Sequence, residues 1–454
     1  MEQKRPLVVI MLVNNPCVND SRVIKSAEAL VDLGLQVIVL CRYAANLPLL
    51  ETINGVTFRR VRPSPTKLDD FTAWVRRKRK VILAAGKHTE TNAWIQSCIR
   101  SGESQIYTSS ALVAPRLASR HRATVFTKLK KMLTFPLKVL YWLNEDSEFK
   151  RISLPVLKKM KFDVVHCHDL TTLPTGVCLA KRSGCKIVYD SHELEMHRNA
   201  NYTKRVWGKR RKIETCGILH ADAVITVSDS IADYLAKDYG IKRPHVILNS
   251  PDFQHYGSFS RTVRQDLELS SSIPLAIYVG SVTVNRGLEN IVRALTLYPE
   301  LRFATVGPVR PQTRLELETL ANDLDVSDRL FFLPPVKPKE VVPYIVDADV
   351  SVLAIENVCL SYYYCMPNKL LESTFAGVPV AVADLYELKK FVDTYSCGVV
   401  MDETCPSSIA ESMKRIVSNR SSFQLPPETR TEIARELGWA AQSMKLQEIY
   451  KAFK

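Results

Sequence analysis

What this sequence lacks narrows it first. Its 454 residues contain no apolar run of the about 18 residues that a membrane-spanning helix needs. No two of the 11 cysteines form a C-x-x-C pair, and Cys41, Cys167 and Cys178 sit inside apolar runs. Reduced thiols of a cytosolic protein fit this better than disulfides or a zinc site. The tightest group of ligand types, His166-Cys167-His168-Asp169, has no standard zinc spacing, so no metal is expected. The dinucleotide fingerprint G-x-G-x-x-G is missing after the first strand. Only 16 glycines and 24 prolines occur, which excludes a collagen-like chain, and a hydrophobic share of 46% excludes a disordered one. The N-terminus MEQKRPLVVIMLV resembles a leader, but NNPCVNDSR follows it instead of a small-residue cleavage site. That run reads as a buried first strand. The length exceeds what one core usually serves, so two domains are expected.

The charge is uneven. The chain carries a net +15, and Lys67–Lys161 alone holds 20 Lys and Arg against 7 Asp and Glu. Arg76–Lys80 is an unbroken basic run, and Val125–Leu143 mixes lysines with Phe, Leu, Tyr and Trp around Pro136. That is the composition of a helix lying in an anionic membrane interface. A helix packed on the protein's own core, inside a solvated insertion, has the same composition. Nucleic acid is not the expected partner, because no zinc-finger or RNA-recognition signature accompanies the charge and the rest of the chain is not basic.

Short β-branched runs alternate with amphipathic stretches. The expected strands are Leu7–Val13, Gln36–Cys41, Asp163–Cys167, Lys186–Asp190 and Ala223–Val227. After a polar, Ser-rich stretch the rhythm restarts with Leu275–Gly280, Arg302–Gly307, Leu330–Leu333, Asp349–Ala354 and Pro379–Ala383. Continuous apolar strands separated by helices mean parallel sheets covered on both faces, the doubly wound α/β pattern. The expected division is residues 1–250, with a basic insertion at about 67–161, a linker over 251–272, a second domain over 273–426, and one long amphipathic helix over 427–454.

Ligands bind open α/β sheets beyond the carboxyl ends of the strands. Strand one is followed by Asn14–Arg22, where Asp20 or Ser21 can cap the next helix and Arg22 can meet an anion. His168-Asp169 follows one strand, and Asp190-Ser191-His192-Glu193 follows its neighbour. Two His and three carboxylates at neighbouring strand ends suit hydrogen bonding to polar substrates and proton transfer. In the second unit, Gly280 opens a small-residue turn that runs through Arg286 to a helix start, a place for a phosphate. The most informative segment is Tyr364-Cys365-Met366-Pro367-Asn368-Lys369-Leu370-Leu371-Glu372. Pro367 marks a helix start, and Lys369 in the first turn opposes the helix dipole unless an anionic ligand neutralises it. Glu372 shares a face with Asn368 and Lys369, placing a carboxylate one turn beyond a phosphate binder. That arrangement suits a nucleotide.

In this order, the passages NDSRVIKSAEALVDLGLQVIVLC, DVVHCHDL, KIVYDSHELE, ADAVITVSDSIADYL, VILNSPDF, YVGSVTVNRGLENIV and PNKLLESTFAGVPVAVADL resemble the GT-B glycosyltransferases, specifically family 4, also described as group 1. The resemblance spans nearly the whole chain apart from Lys67–Lys161. It implies two Rossmann-like domains facing a cleft, with the acceptor on the first, the sugar nucleotide on the second and the last helix crossing back. It implies a nucleoside-diphosphate sugar as donor, no cofactor, no metal and a retaining outcome. It places Arg286 and Lys369 at the diphosphate and Glu372 at the ribose, with Gly280, Asn368 and Leu370 also in the donor-binding site. His168 falls at the transferred sugar, and Asn14, Asp20, Arg22, Asp169, His192, Glu193 and Tyr364 line the sugar or acceptor pocket.

Three departures stand out. Relatives carry two glutamates with seven residues between them, Glu372 matches the second, and Tyr364 occupies the first position. Ser281 stands where many have a second basic residue, and the N-terminal loop lacks the usual glycines. The expected function is transfer of a sugar to a glycan or lipid-linked acceptor in polysaccharide or glycoconjugate biosynthesis. The protein would be cytoplasmic, peripheral on the inner face of a membrane through its basic stretch. A sugar-nucleotide epimerase of the same fold and a non-catalytic nucleotide-binding protein are the alternatives.

Overall fold

The computed structural model describes residues 5–18, 20–62, 148–200, 202–253 and 261–454. The first sheet contains β1 (Val8–Leu12), β2 (Gln36–Arg42), β3 (Leu50–Ile53), β4 (Val56–Val61), β5 (Val164–His168), β6 (Lys186–Ser191), β7 (Ala223–Thr226) and β8 (His245–Val246). Their order is β3-β4-β2-β1-β5-β6-β7-β8, and every pair is parallel except β3–β4. The second sheet contains β9 (Leu275–Val279), β10 (Arg302–Val306), β11 (Leu330–Leu333), β12 (Val350–Leu353), β13 (Val380–Ala383) and β14 (Gly398–Met401). It is parallel throughout, in the order β11-β10-β9-β12-β13-β14. These are two Rossmann-like α/β domains.

The strand order reverses between β1 and β5 in the first sheet and between β9 and β12 in the second. Those switch points open crevices at the carboxyl ends of the strands. β1, β5 and β9 are buried at every residue, because helices cover both faces of each sheet. The sequence reading missed the β3–β4 hairpin. Its turn is Asn54-Gly55, with φ of 50° and 77°, the left-handed pair that a tight hairpin demands.

The C-terminal segment differs from one long helix. Gly438 is extended (φ −66°, ψ 163°) and divides it into Pro427–Leu437 and Trp439–Lys451. The first helix packs Ile433 and Ala434 into the second domain. The second places Trp439, Leu446, Ile449 and Tyr450 in the core of the first domain, and Gln447 donates to the Ala29 carbonyl at 2.8 Å. The chain therefore crosses back at Gly438.

The stretch read as a linker is shorter than 251–272. Residues 254–260 lie outside the described residues. Val263 is buried in the second core, and Arg264 donates to the carbonyls of Ser270, Ile273 and Asp347 and to Asp349. The segment from 261 onward thus belongs to the second domain. Most of the basic stretch Lys67–Lys161, including the interfacial pattern Val125–Leu143, also lies outside the described residues. Its tail is a helix over 148–157 whose Phe149, Ile152 and Leu157 are buried in the first domain. Among the described residues, no helix is long and apolar enough to cross a membrane.

Candidate functional site

The register of β5 and β6 sets His168 beside Asp190, with His166 two residues back on the same face. The rings of His166 and His168 stack with centroids 4.3 Å apart. Asp190 is buried and accepts twice from Arg22, from Nε at 2.9 Å and Nη2 at 2.7 Å, while Nη1 donates to the Ile247 carbonyl at 2.8 Å. Although burial opposes it, this guanidinium holds Asp190 well below the usual carboxylate range. Arg22 thus meets the protein's own carboxylate rather than an outside anion. His166, His168 and Asp190 have the types of a cation site, with ligand atoms within 4.8 Å of one another, but Arg22 already neutralises the carboxylate.

His192 closes the cluster. Its Nε2 lies 3.1 Å from His168 Nδ1, and its Nδ1 lies 3.3 Å from Asp169 Oδ1. Burial works against its charge, yet Asp169 and Asp190 together raise it to about 9. Burial and the neighbouring His166 pull His168 down to about 3. The His168 Nε2 is buried and has no partner among the described residues. Glu193 turns away to pair with Arg198 at 3.0 Å.

The loop after β1 forms the rim. Asp20 caps the helix Ser21–Asp32 through Val23 N–H and accepts from Asn15 Nδ2 at 2.8 Å. Asn14 is taken up by Arg42, which donates to its Oδ1 at 2.5 Å. Asn15, Cys17, Asp20, Ser21 and Asn249 border a cleft of about 440 Å³. The buried Oδ1 of Asn249 has no partner among the described residues.

In the second domain, Gly280 has φ 121°, and a Cβ there would stand 3.2 Å from Lys369 Nζ. The lysine therefore lies directly over the turn. Its Nζ donates to Tyr278 Oη at 2.8 Å and sits 4.1 Å above the tyrosine ring, while that hydroxyl donates to the Ser281 carbonyl at 3.1 Å. The helix Asn368–Ala376 starts after Pro367 with no side-chain cap among the described residues, which leaves backbone N–H groups for an anion. Arg286 stacks on Tyr362 at 5.1 Å, and the Cys365 thiol feels both Arg286 and Lys369. Desolvation raises the Glu372 carboxyl to about 7, against the pull of Lys369 and of Lys25 from the first domain. Leu370 differs from expectation. Its side chain is fully buried in the second core, so it seats the helix instead of facing a ligand.

Tyr364 ends the short helix Leu360–Tyr363 at the boundary between the domains. Its ring packs beside Tyr363 and Tyr386, and its carbonyl accepts from Ser228 Oγ at 2.7 Å. Ser361 Oγ accepts from Leu194 N–H at 3.2 Å, and Glu387 accepts from Ser230 N–H at 2.9 Å. These three bonds tie the domains together.

The two halves match two family descriptions in tandem: Glycosyltransferase Family 4 over residues 109–254, and Glycosyl transferases group 1 over residues 259–436. The chain belongs to the group 1 glycosyltransferases. Among relatives of this group 1 enzyme, a D-inositol 3-phosphate glycosyltransferase of Xylanimonas cellulosilytica is 24% identical over 309 residues, 64% of this chain and 72% of the relative. Sucrose-phosphate synthase from Thermosynechococcus elongatus superposes with a TM-score of 0.70 at 17% identity, covering 99% of each chain. Anabaena HepE, solved with UDP and glucose, superposes with a TM-score of 0.64 at 11% identity, over 98% of this chain and 100% of that one. At these identities the structural likeness is one of fold, and the fold is GT-B.

Several residues of the glycosyltransferase escaped the sequence reading. Tyr450 shares a 2.8 Å hydrogen bond with His166 Nδ1. Lys25 donates to the Ser250 carbonyl at 2.5 Å, lies 4.7 Å over Trp439, and is lowered to about 8 by burial. Nothing local marks Tyr450 as a partner of the histidines. The signal for Lys25 was a lysine on the helix face that otherwise holds the buried Arg22 and Ala29.

Proposed function

We propose that this glycosyltransferase moves a sugar from a nucleoside-diphosphate sugar to a hydroxyl of a glycan or lipid-linked acceptor at a membrane surface. Supporting it most is the position of Lys369, over the Gly280 turn and at a helix start without a side-chain cap. A cation, a close-approach glycine and unpaired N–H groups converge there as a diphosphate leaving group requires. In this reading Arg286 shares the diphosphate charge, Asn368 lies at the helix start, and Glu372 one turn on accepts from the ribose hydroxyls. The leaving group is stabilised by these cations and the helix end, with no metal and no cofactor assigned a role. His168 lies at the transferred sugar, where its unpartnered Nε2 meets a sugar oxygen. Asp169, His192 and the cleft beside Asn15 and Asn249 form the sugar and acceptor side. A retaining outcome follows from the family likeness.

The membrane half of the proposal rests on the basic stretch Lys67–Lys161. Arg62 and Ile152, on either side of the undescribed part of the chain, line a groove with Leu49, Leu50 and Arg59. The test of the chemistry is release of nucleoside diphosphate from a panel of UDP-, GDP- and ADP-sugars. Wild type should release from one base class, and Lys369→Ala should lose at least about tenfold in kcat/KM, the equivalent of about 1.4 kcal/mol. Folded wild-type protein that neither releases nor binds any of them would overturn the proposal.

A further inference from the structure

Of the three histidines at the ends of β5 and β6, the proposal above uses only His168, and His192 has no role in it beyond lining. We infer that His192 sets the proton position on His168, so that the protonation state of one ring selects whether the other presents a donor or an acceptor at Nε2. The inference rests on the reading of His168 as the residue at the sugar only for its catalytic consequence.

The geometry leaves two arrangements. With His192 doubly protonated, Nδ1–H faces Asp169 at 3.3 Å, and Nε2–H donates to His168 Nδ1 at 3.1 Å. His168 then carries its own proton on Nε2, the buried atom with no partner among the described residues. When His192 loses a proton, the one it keeps stays on Nδ1 opposite the Asp169 carboxylate. Its Nε2 becomes an acceptor, and His168 must donate from Nδ1 toward it and toward Asp190 Oδ2, which lies 3.4 Å away. One proton leaves the pair for solvent. His168 keeps one proton throughout, moved from Nε2 to Nδ1, and its Nε2 turns from donor to acceptor.

The surroundings bias this pair as the inference requires. Asp169 comes from the loop after β5 and Asp190 from β6, whose Oδ2 lies 3.5 Å from His192 Nε2. Both carboxylates favour the charged ring, and Arg22 on the first helix opposes it. Glu193, Glu195 and Arg198 follow β6, and His166 lies behind His168 on β5. Burial raises the Asp169 carboxyl while His192 pulls it down. His192 retains 20% side-chain exposure and Asp169 35%, which gives the leaving proton a route to water, whereas His168 has none.

The decisive measurement is ring nitrogen NMR on the full chain labelled with 15N-histidine, from pH 6 to 10, with His168 assigned by its loss in His168→Gln. The expected result is an Nε2–H tautomer for His168 at pH 7 that converts to Nδ1–H as His192 titrates near pH 9. In His192→Gln the side-chain amide supplies a donor that does not titrate. His168 should then keep Nε2–H over the whole range, and the alkaline break should vanish from the kcat profile of the nucleotide sugar that turns over. His192→Ala, checked by its melting temperature, should lower kcat about tenfold with a smaller change in KM. A His168 tautomer that ignores both pH and the His192 substitutions overturns the inference. A tautomer switch in a protein whose turnover is indifferent to His168→Ala upholds the relay and overturns instead the placement of His168 at the sugar.

Discussion

Glu372 carries the clearest pH signature at the residue scale. Its carboxyl is raised to about 7 by desolvation, above the ordinary value of 4.5. Between those two values the folded chain holds a proton that the unfolded chain has released. Stability contributed by this group is therefore present at low pH and lost as pH rises from about 4.5 to 7. Glu372→Gln should remove that fall, giving a higher melting temperature than wild type at pH 8, while nucleotide binding weakens. A variant that melts below wild type at pH 8 contradicts the assignment. At this scale much of the candidate site was legible. His168, Lys369 and Glu372 stand in runs whose local order announces them, and the cap of the first helix was narrowed to Asp20 or Ser21, of which the structure uses Asp20. The other half was not legible, because its partners are remote. Arg22 meets Asp190 from 168 residues away and Tyr450 meets His166 from 284 away, and no local spacing records such pairs. The same distance explains why Arg22 reads as an anion binder in isolation and as a buried ion pair in the fold.

The crossing helix Trp439–Lys451 does more than bury apolar surface. Tyr450 is fully buried and joins the histidine cluster from behind through His166, which is also fully buried. Tyr450→Phe keeps the ring but leaves His166 Nδ1 without its partner. The expected loss is about 1–3 kcal/mol of stability, the desolvation penalty of an unmet buried polar group, measured by denaturant unfolding. An unchanged midpoint would show that the hydrogen bond contributes nothing. Strands fully buried in parallel sheets were readable because their apolar runs are continuous, as in β1 and β9. β3 was not, since Leu50 and Ile53 are exposed on an edge and the strand has no buried face to declare. β14 consists of four residues that begin at Gly398, too short for any period. The break at Gly438 was hidden because the apolar pattern continues on both sides of it while the face it serves changes domain.

For the whole molecule, the charges of Lys25 in the first domain and Glu372 in the second influence each other across the domain boundary. Most of the surplus of positive charge belongs to the sequence stretch Lys67–Lys161. Anionic lipids attract such a stretch by about 1 kcal/mol per Lys or Arg near the surface. The protein should sediment with phosphatidylserine-containing vesicles at low salt and leave them at high salt, and equal binding to neutral vesicles would contradict a charge-driven contact. The central claim, that Lys369 and the Gly280 turn form a diphosphate pocket, is met most directly by a thermal-shift screen of UDP, GDP, ADP and CMP against wild type and Lys369→Ala. A diphosphate present at about 100 times its dissociation constant adds about 2.7 kcal/mol of stability. The account predicts a shift for one nucleoside diphosphate in wild type and its loss in the variant. A shift of equal size in Lys369→Ala would place the nucleotide elsewhere and contradict it.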